Sequence, residues 1–386
     1  MNKSYSFLFG VITCLIVMIL GYFGFRYYEN NKKNPIDKKN NITEKLKPLT
    51  SEEIFNKYQD AVVLIKHSYF YKINLFGQDY YFREFDSKTG QISGLISYEE
   101  AKNNPIESWG TGFFIDNNGS IITNRHVVDV RPTAEEQKQI LIAFKQELSN
   151  LFSLIKSKHF DKGYELQNIR SRINSGYLDE YEHNNLVFQF NNLREEYSNE
   201  EGTLLKYDSI LQNFDFQNNY VTKTSTQFGI FLNKQHSSNL NDYIQYKSVK
   251  ISADENVDLA LLKPINSTDL RGRKFTVANM SKVDSLIVKH PKITQKVIMI
   301  GYNHGIVVGN TLEGIKPQLT EGNISQVTDK YKMMYTIPAL HGSSGSPIFD
   351  VYGRVIGVNF AGATNSNQNF NYGIQTQQIK SFLYKN

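Results

Sequence analysis

The chain has 386 residues, which is enough for one large domain or two modest ones. Hydrophobic residues make up 40% of it and charged residues 21%, with only 9 prolines, so a wholly disordered or collagen-like chain is excluded. The formal net charge is +5, but the whole excess lies in residues 1–50, and residues 51–386 are neutral overall. The larger part of the chain therefore has no basic excess for nucleic acid, which is not expected as a partner.

The N-terminal residues 1–25 are predicted to form a transmembrane anchor. Residues 4–25 carry no charge and would form a helix of roughly 33 Å, which spans a bilayer core. A cleaved signal peptide is the alternative, but no small-x-small cleavage site follows the apolar stretch. The single cysteine, Cys14, lies in this segment, so neither an intrachain disulfide nor a cysteine-based zinc site is expected, and no metal or cofactor is predicted.

Residues 26–50 are rich in Asn and Lys and have almost no apolar periodicity. This composition predicts a flexible, basic spacer between the anchor and the rest of the chain. Its positive charge next to the membrane favours a body on the cytoplasmic side.

A strand, a turn and a second strand are predicted between Trp109 and Val128, because apolar residues alternate on both sides of a turn that ends at Gly119. His126 follows the second strand. An isolated histidine is more often a surface or core residue than a catalytic one, so His126 needs partners before it indicates chemistry.

Residues 131–228 are predicted to be a helical insertion. Thr133–Glu136 has the pattern of a capping box, and apolar residues then recur at helical spacing as far as Ile155. A second helix is predicted near Leu178–Tyr197. The favoured interpretation is a hairpin that packs its apolar stripe on the body or on itself; the alternatives are an arm for self-association or partner docking, or a lid. A smaller, aromatic insertion is predicted over residues 67–107.

Two further segments contain reactive side chains. Asp258 stands at the start of an apolar strand, where it could simply be a turn residue. Ser344 lies in the Gly-Ser-rich turn His341–Pro347, which could be a turn without a role. Glycines in such a turn let the backbone bend tightly, expose a hydroxyl and direct amide N–H groups toward one point, as an oxyanion hole requires.

His126, Asp258 and Ser344 together indicate nucleophilic catalysis. A serine hydroxyl is a weak nucleophile that needs a base, usually histidine, and an aspartate fixes the tautomer of that histidine. The order His, Asp, Ser along the chain is that of the chymotrypsin-type arrangement.

The sequence resembles the trypsin-like (chymotrypsin-fold) serine peptidases, most closely the bacterial HtrA/Deg-type protease domain. Seven stretches carry the resemblance in order: Asp60–Ile65, Gly110–Ile115 with Ile121–Val128, Asp258–Leu262, Val297–Gly305, Leu319–Ser325, Gly342–Pro347 and Tyr372–Tyr384. It implies a mostly β fold of two six-stranded antiparallel barrels over residues 51–386, interrupted by the two insertions. The chain ends just after the closing helix, so the PDZ module that many HtrA-type proteins append is not expected.

The resemblance also implies roles for single residues. Ser344 would be the nucleophile, His126 the general base and Asp258 its orienting partner, while Ser343 and Ser346 rank below Ser344. The backbone N–H groups of Gly342 and Ser344 would form the oxyanion hole. The substrate-binding residues would be His341 at the mouth of the pocket, and Asn359, Phe360 and Ala361 as an edge strand that pairs with substrate.

The specificity pocket offers fewer indications. Pro338, which would lie at its floor, is uncharged, and Asn359 replaces the histidine of glutamyl-endopeptidase-like relatives. Cleavage after basic or acidic residues is therefore not predicted, and an apolar or small residue at P1 is the default, with Phe360 and Ala361 along the wall.

The predicted function is a membrane-anchored, cofactor-independent serine endopeptidase that hydrolyses proteins or peptides through an acyl-enzyme. The alternative is a catalytically silent or zymogen-like protease fold that acts as a membrane-bound binding module. The resemblance to exported proteases favours a single-pass protein with its catalytic domain outside the cytoplasm. The basic segment after the anchor favours the opposite orientation.

Overall fold

The computed structural model describes residues 20–22, 26, 47–129, 131–216, 219–236, 242–266, 270, 291–327, 329–362 and 370–384. The chain divides into two units, Met1–Pro48 and Leu49–Asn386. Most of the predicted anchor and spacer lies outside the described residues. Within those that are described, no helix has the length and apolar character needed to cross a membrane.

The first half of the larger unit is a closed β-barrel. Its strands, with two short ones beside them, are β1 (Val62–Leu75), β2 (Gln78–Phe82), β3 (Phe85–Asp86), β4 (Gln91–Ile92), β5 (Ile106–Phe114), β6 (Ile121–Thr123), β7 (Val221–Phe231), β8 (Ile244–Ile251) and β9 (Ala260–Pro264). The sheet order is β2-β1-β5-β6-β9-β8-β7, and β7 pairs back onto β1. Six strands therefore form the ring, and β2 extends β1 outside it.

The second half is also a barrel. Its elements are β10 (Lys296–Gly301), β11 (Asn310–Thr311), β12 (Gly314–Ile315), β13 (Gln318–Val327), β14 (Lys332–Tyr335), β15 (Pro347–Asp350), β16 (Val355–Gly362) and β17 (Asn371–Gln375). The closed ring runs β10-β13-β14-β17-β16-β15, with antiparallel pairing throughout. The predicted pair of six-stranded antiparallel barrels is confirmed.

One apolar core joins the two barrels. It contains Leu64 and Phe113 from the first barrel and Ile298 and Phe349 from the second, all at most 1% exposed. Burying an aliphatic or aromatic side chain of this size contributes about 1.5–3 kcal/mol, so the shared core holds the facing barrel edges in a fixed geometry.

Helices lie at the ends and in the connections. They are α1 (Ser51–Tyr58), a 3₁₀ turn (Gln59–Ala61), α2 (Tyr98–Asn103), α3 (Arg125–Val128), α4 (Ala134–Ile173), α5 (Glu180–Gln212), α6 (Ile306–Gly309) and α7 (Thr376–Tyr384). The predicted capping box at the start of α4 is present: the Thr133 hydroxyl accepts from the Glu136 amide, and the Glu136 carboxylate accepts from the Thr133 amide.

Helices α4 and α5 with the turn between them form what we call the helical arm (Ala134–Gln212). At 1.5 Å per residue, the 40 residues of α4 extend for roughly 60 Å. The base of the arm packs on the β1–β2 extension, where the Phe144 and Tyr80 rings meet at 5.5 Å. Farther out, Lys162 bridges α4 to Glu196 and Glu200 of α5 at 2.8 and 2.7 Å.

The barrel strands begin and end differently from the sequence-based boundaries. Strand β1 continues to Leu75 and β7 begins at Val221, so residues 67–73 pair with residues 221–228 in the barrel, although both stretches were predicted to lie in insertions. Both stretches mix polar and aromatic residues and form a ladder only by pairing with each other. That long-range pairing leaves no local signal.

Candidate active site

The first barrel places His126 and Asp258 side by side. β6 ends at Thr123, immediately before the one-turn helix α3 that carries His126, and β9 begins just after Asp258. β6 and β9 are antiparallel neighbours, with Thr123 opposite Ala260. The end of β6 therefore lies beside the start of β9, which brings together His126 and Asp258, 132 residues apart in the sequence.

Asp258 contacts His126 through both carboxylate oxygens. Its Oδ2 lies 2.6 Å from His126 Nδ1, and its Oδ1 accepts from the His126 backbone amide at 3.1 Å. The Asp258 carbonyl in turn accepts from Asn124 Nδ2 at 2.8 Å. Because a carboxylate accepts only, Nδ1 carries the proton and Nε2 is left as the basic nitrogen. The His126 side chain is 50% exposed and that of Asp258 is 14% exposed, so the imidazole is open to solvent while the carboxylate is covered.

A second histidine, His67 of β1, supports the helix that carries His126. It is 2% exposed. Its Nδ1 lies 3.3 Å from the carbonyl of Val127, and its Nε2 lies 2.9 Å from Ser225 Oγ. Burial, assisted by the nearby Lys223 charge, lowers the pKa of His67 to about 4. His67 is therefore neutral at pH 7 and donates from Nδ1 to α3.

The second barrel supplies the loop around Ser344. Gly342 and Gly345 have φ values of +91° and +90°, in the left-handed region that favours glycine. A Cβ at Gly342 would lie 2.4 Å from Gly305 N and from Tyr302 O. Of the three serines in this loop, Ser343 and Ser346 are buried, whereas Ser344 is partly exposed. Of these three serines, only Ser344 is therefore accessible to solvent.

Thr111 of β5 connects this loop to the first barrel. Its hydroxyl donates to the Gly342 carbonyl at 2.7 Å and accepts from the Tyr302 amide at 3.0 Å. Its amide donates to the Ser344 carbonyl at 2.8 Å. No role was predicted for Thr111 from the sequence. The glycines on either side of it, Gly110 and Gly112, were the available signal, because glycine in a strand marks a close approach of two backbones.

Two amides of the loop point at no acceptor. Among the described residues, the N–H groups of Gly342 and Ser344 make no hydrogen bond, whereas Ser343 N donates to Leu340 O at 3.0 Å. Buried backbone amides are normally paired. The unpaired N–H groups of Gly342 and Ser344, on either side of the paired Ser343 N–H, could both donate to one anionic oxygen.

The other predicted residues are placed as follows. His341 is exposed at the start of the loop, and Phe360 is partly exposed in β16. Ala361 lies in the same strand, and its side chain is outside the description. Asn359 is 2% exposed, and its side chain bonds to Ser343 and Tyr335, so it faces the loop support instead of the surface.

Two features bear on the chemistry of this site: the relation of Ser344 to His126, and the lack of a metal-binding cluster among the described residues. No hydrogen bond links Ser344 to His126 in the part of the chain that the structure describes. The described residues also include no group of three or more His, Cys, Asp or Glu side chains able to hold a metal ion.

Comparison with known proteins supports the predicted resemblance. A family model described as a trypsin-like peptidase domain matches residues 216–358, which include Asp258 and Ser344 and begin after His126. The predicted resemblance to trypsin-like serine peptidases is confirmed by this match. None of the curated proteins matches the sequence. Among solved structures, a serine endoprotease from Yersinia pestis is similar at 12% identity and a TM-score of 0.39, covering 88% of this chain and 67% of that one.

Proposed function

We propose that this protein is a serine endopeptidase in which His126, Asp258 and Ser344 act as the catalytic triad. The carrying observation is the turn His341–Pro347, which we call the nucleophile loop. There the partly exposed Ser344 is accompanied by the two unpaired amides of Gly342 and Ser344. The hydrogen-bonded His126–Asp258 pair supports it with a base already held in the required tautomer.

Each group has a defined step. Ser344 Oγ attacks the scissile carbonyl carbon while its proton passes to His126 Nε2. Asp258 keeps its bond to Nδ1–H and stabilises the imidazolium, and the oxyanion accepts from the Gly342 and Ser344 amides. His126 then protonates the leaving amine, which departs and leaves an acyl-enzyme. Water, deprotonated by His126, hydrolyses the acyl-enzyme and regenerates Ser344.

A protein or peptide substrate would bind as an added strand. β16 pairs with β17 through residue 362, while its pairing with β15 ends at Val358. Within the described residues, the other edge of residues 360–362 is therefore open to an extended peptide. Phe360, partly exposed beside this edge, supports an apolar or small P1 residue, and the uncharged run of residues 4–25 supports action at a membrane.

Covalent labelling tests this function. A fluorophosphonate probe should modify one serine, and mass spectrometry of the digested protein should locate the adduct on Ser344. Labelling and peptide hydrolysis should disappear in Ser344→Ala and fall strongly in His126→Ala, with unfolding temperatures unchanged. His183→Ala, an exposed histidine of the arm, is the control for His126→Ala. Hydrolysis that persists in Ser344→Ala would overturn the assignment.

A peptidase that requires activation is the second candidate, and the absent Ser344–His126 hydrogen bond is the observation that favours it. Titration of active sites with the fluorophosphonate probe separates the active from the latent peptidase. The purified active enzyme should take up one probe per chain without an activator, whereas a latent enzyme should take up much less than one.

A further inference from the structure

Asn359 lies in β16 directly behind the nucleophile loop. Its Nδ2 donates to the Ser343 carbonyl at 2.8 Å and to Ser343 Oγ at 3.1 Å, and both residues are 2% exposed. The Ser343 carbonyl and the Ser344 amide belong to one peptide unit. No cis peptide bond occurs in the described chain, and in a trans unit the C=O and the N–H point in opposite directions. A donor that holds this carbonyl inward therefore directs the Ser344 N–H outward.

The second unpaired amide is directed in the same way. The His304 amide donates to the His341 carbonyl at 2.6 Å, and that carbonyl shares a peptide unit with the Gly342 N–H. Both proposed oxyanion donors are thus aimed by a hydrogen bond to the carbonyl of their own unit. For Gly342 the aiming donor is backbone, whereas for Ser344 it is a side chain.

Tyr335 of β14 fixes the orientation of the Asn359 amide. Its hydroxyl lies 2.6 Å from Asn359 Oδ1 and 3.0 Å from the Tyr372 carbonyl, in a site where the ring is fully buried. Burial raises the pKa of Tyr335 well above its usual value, so the hydroxyl keeps its proton. With Oδ1 accepting from Tyr335, the NH₂ end must face Ser343, whose carbonyl can only accept.

We propose that Asn359, oriented by Tyr335, is a positioning residue for the oxyanion hole: it aims the Ser344 amide at the oxygen of the tetrahedral intermediate. The inference rests on the proposed function and concerns the Asn359 side chain, whereas the sequence-based prediction for Asn359 was backbone pairing with substrate. The Asn359 Nδ2 donates within the loop, to the Ser343 carbonyl and to Ser343 Oγ, and the residue is 2% exposed, so its amide is directed away from substrate.

Two variants test this without large changes of shape. Asn359→Asp replaces the donor by an oxygen that repels the Ser343 carbonyl, and Tyr335→Phe removes a single hydroxyl. Gln375→Glu is the matched control, because Gln375 is 3% exposed and its Nε2 donates to the carbonyls of Asp329 and Lys332 at 2.6 and 2.9 Å, in the same barrel but away from the loop.

The measurements are kcat and KM on a fluorogenic peptide, inhibition by a peptide boronic acid that mimics the tetrahedral intermediate, and the unfolding temperature. Rates are expressed per site titrated with the fluorophosphonate probe. Asn359→Asp should lower kcat by about 10- to 100-fold with KM nearly unchanged, and should weaken boronate inhibition by a similar factor. Tyr335→Phe should move the same two quantities less, and Gln375→Glu should change only the unfolding temperature.

The failures are distinguishable. If the wild-type chain neither hydrolyses peptides nor takes up the probe, the proposed function fails. If the wild type is active and Asn359→Asp loses thermal stability but keeps kcat and boronate affinity per titrated site, only the positioning role is overturned. If Asn359→Asp does not fold, Tyr335→Phe decides alone, and unchanged kcat and boronate affinity there overturn the inference.

Discussion

In the first barrel, the groups proposed to react are the side chains of His126 and Asp258, which hold each other in place. The His126 ring is aligned by Asp258, which is itself bound to the His126 amide and held through its carbonyl by Asn124. In the second barrel, the groups proposed to stabilise charge are backbone amides, and the side chains of Asn359 and Thr111 hold their loop. Substitutions of His126 or Asp258 therefore act directly on the proposed chemistry, whereas in the second barrel, apart from Ser344 itself, they act through the supports of the loop.

The largest effect is expected from Asp258→Asn. The amide would present an N–H to His126 or force the opposite tautomer, so kcat should fall by about 10⁴-fold with KM little changed. Steady-state kinetics measures this. Glu255→Gln, three residues earlier and exposed, should retain wild-type rates; an equal loss in both variants would show that the turn, and not the proton position, is responsible.

Gly342→Ala tests the backbone side of the comparison. A Cβ would clash with two backbone atoms at 2.4 Å, so the loop must shift and both oxyanion amides with it. We expect kcat to fall by about 10²- to 10³-fold. Gly90→Ala has a similarly positive φ of +66° but no atom within 4 Å of the added Cβ, so it shows the effect of backbone strain alone. Wild-type kcat in Gly342→Ala would remove these amides from the mechanism.

His67 gives the first barrel a pH-dependent stability. Its folded pKa of about 4 lies below the value of 6.5 for an unperturbed histidine, so the unfolded chain takes up the proton first. The contribution of neutral His67 to the free energy of unfolding is about 3 kcal/mol. It is fully present above about pH 6.5 and is lost as the pH falls toward 4.

Urea unfolding from pH 7.5 to 4 measures this. The stability of His67→Asn, which keeps a donor for the Val127 carbonyl but cannot titrate, should decline less steeply than that of the wild type over this interval. Identical slopes would contradict the assignment of the shift to His67.

The smallest effect is expected from Thr111→Val. It keeps the side-chain shape but removes the hydroxyl from the Gly342 carbonyl and the Tyr302 amide, which costs about 1–3 kcal/mol in unfolding free energy. We expect kcat to fall by about tenfold as the loop loosens. Thr111→Ser restores the hydroxyl and should recover most of both quantities; if it behaves like valine, packing and not the hydrogen bonds is what matters at this position.

Much of the site was visible in the sequence because its elements are local. The turn containing Gly342 and Gly345, the strand pair before His126 and the Thr133 capping box each depend on neighbouring residues, so their patterns predicted them. The His126–Asp258 contact was inferred from chain order and the resemblance, and it is present. Ser344 was ranked above Ser343 and Ser346, and it is the one of the three that is partly exposed.

Other features required the closed barrels. For Asn359 only backbone pairing with substrate was predicted, because its position in a strand does not reveal which buried groups its side-chain amide meets. Tyr335 and His67 gave no signal. Their partners are 24 and 60 residues away along the chain. Sheet register and barrel closure decide such pairs, as they decide that residues 221–228 belong to the barrel and not to the arm. The sequence by itself determined the reactive groups and the local turns. The tertiary structure decided what holds and aims them, because hydrogen bonds between distant strands exist only once both barrels have closed.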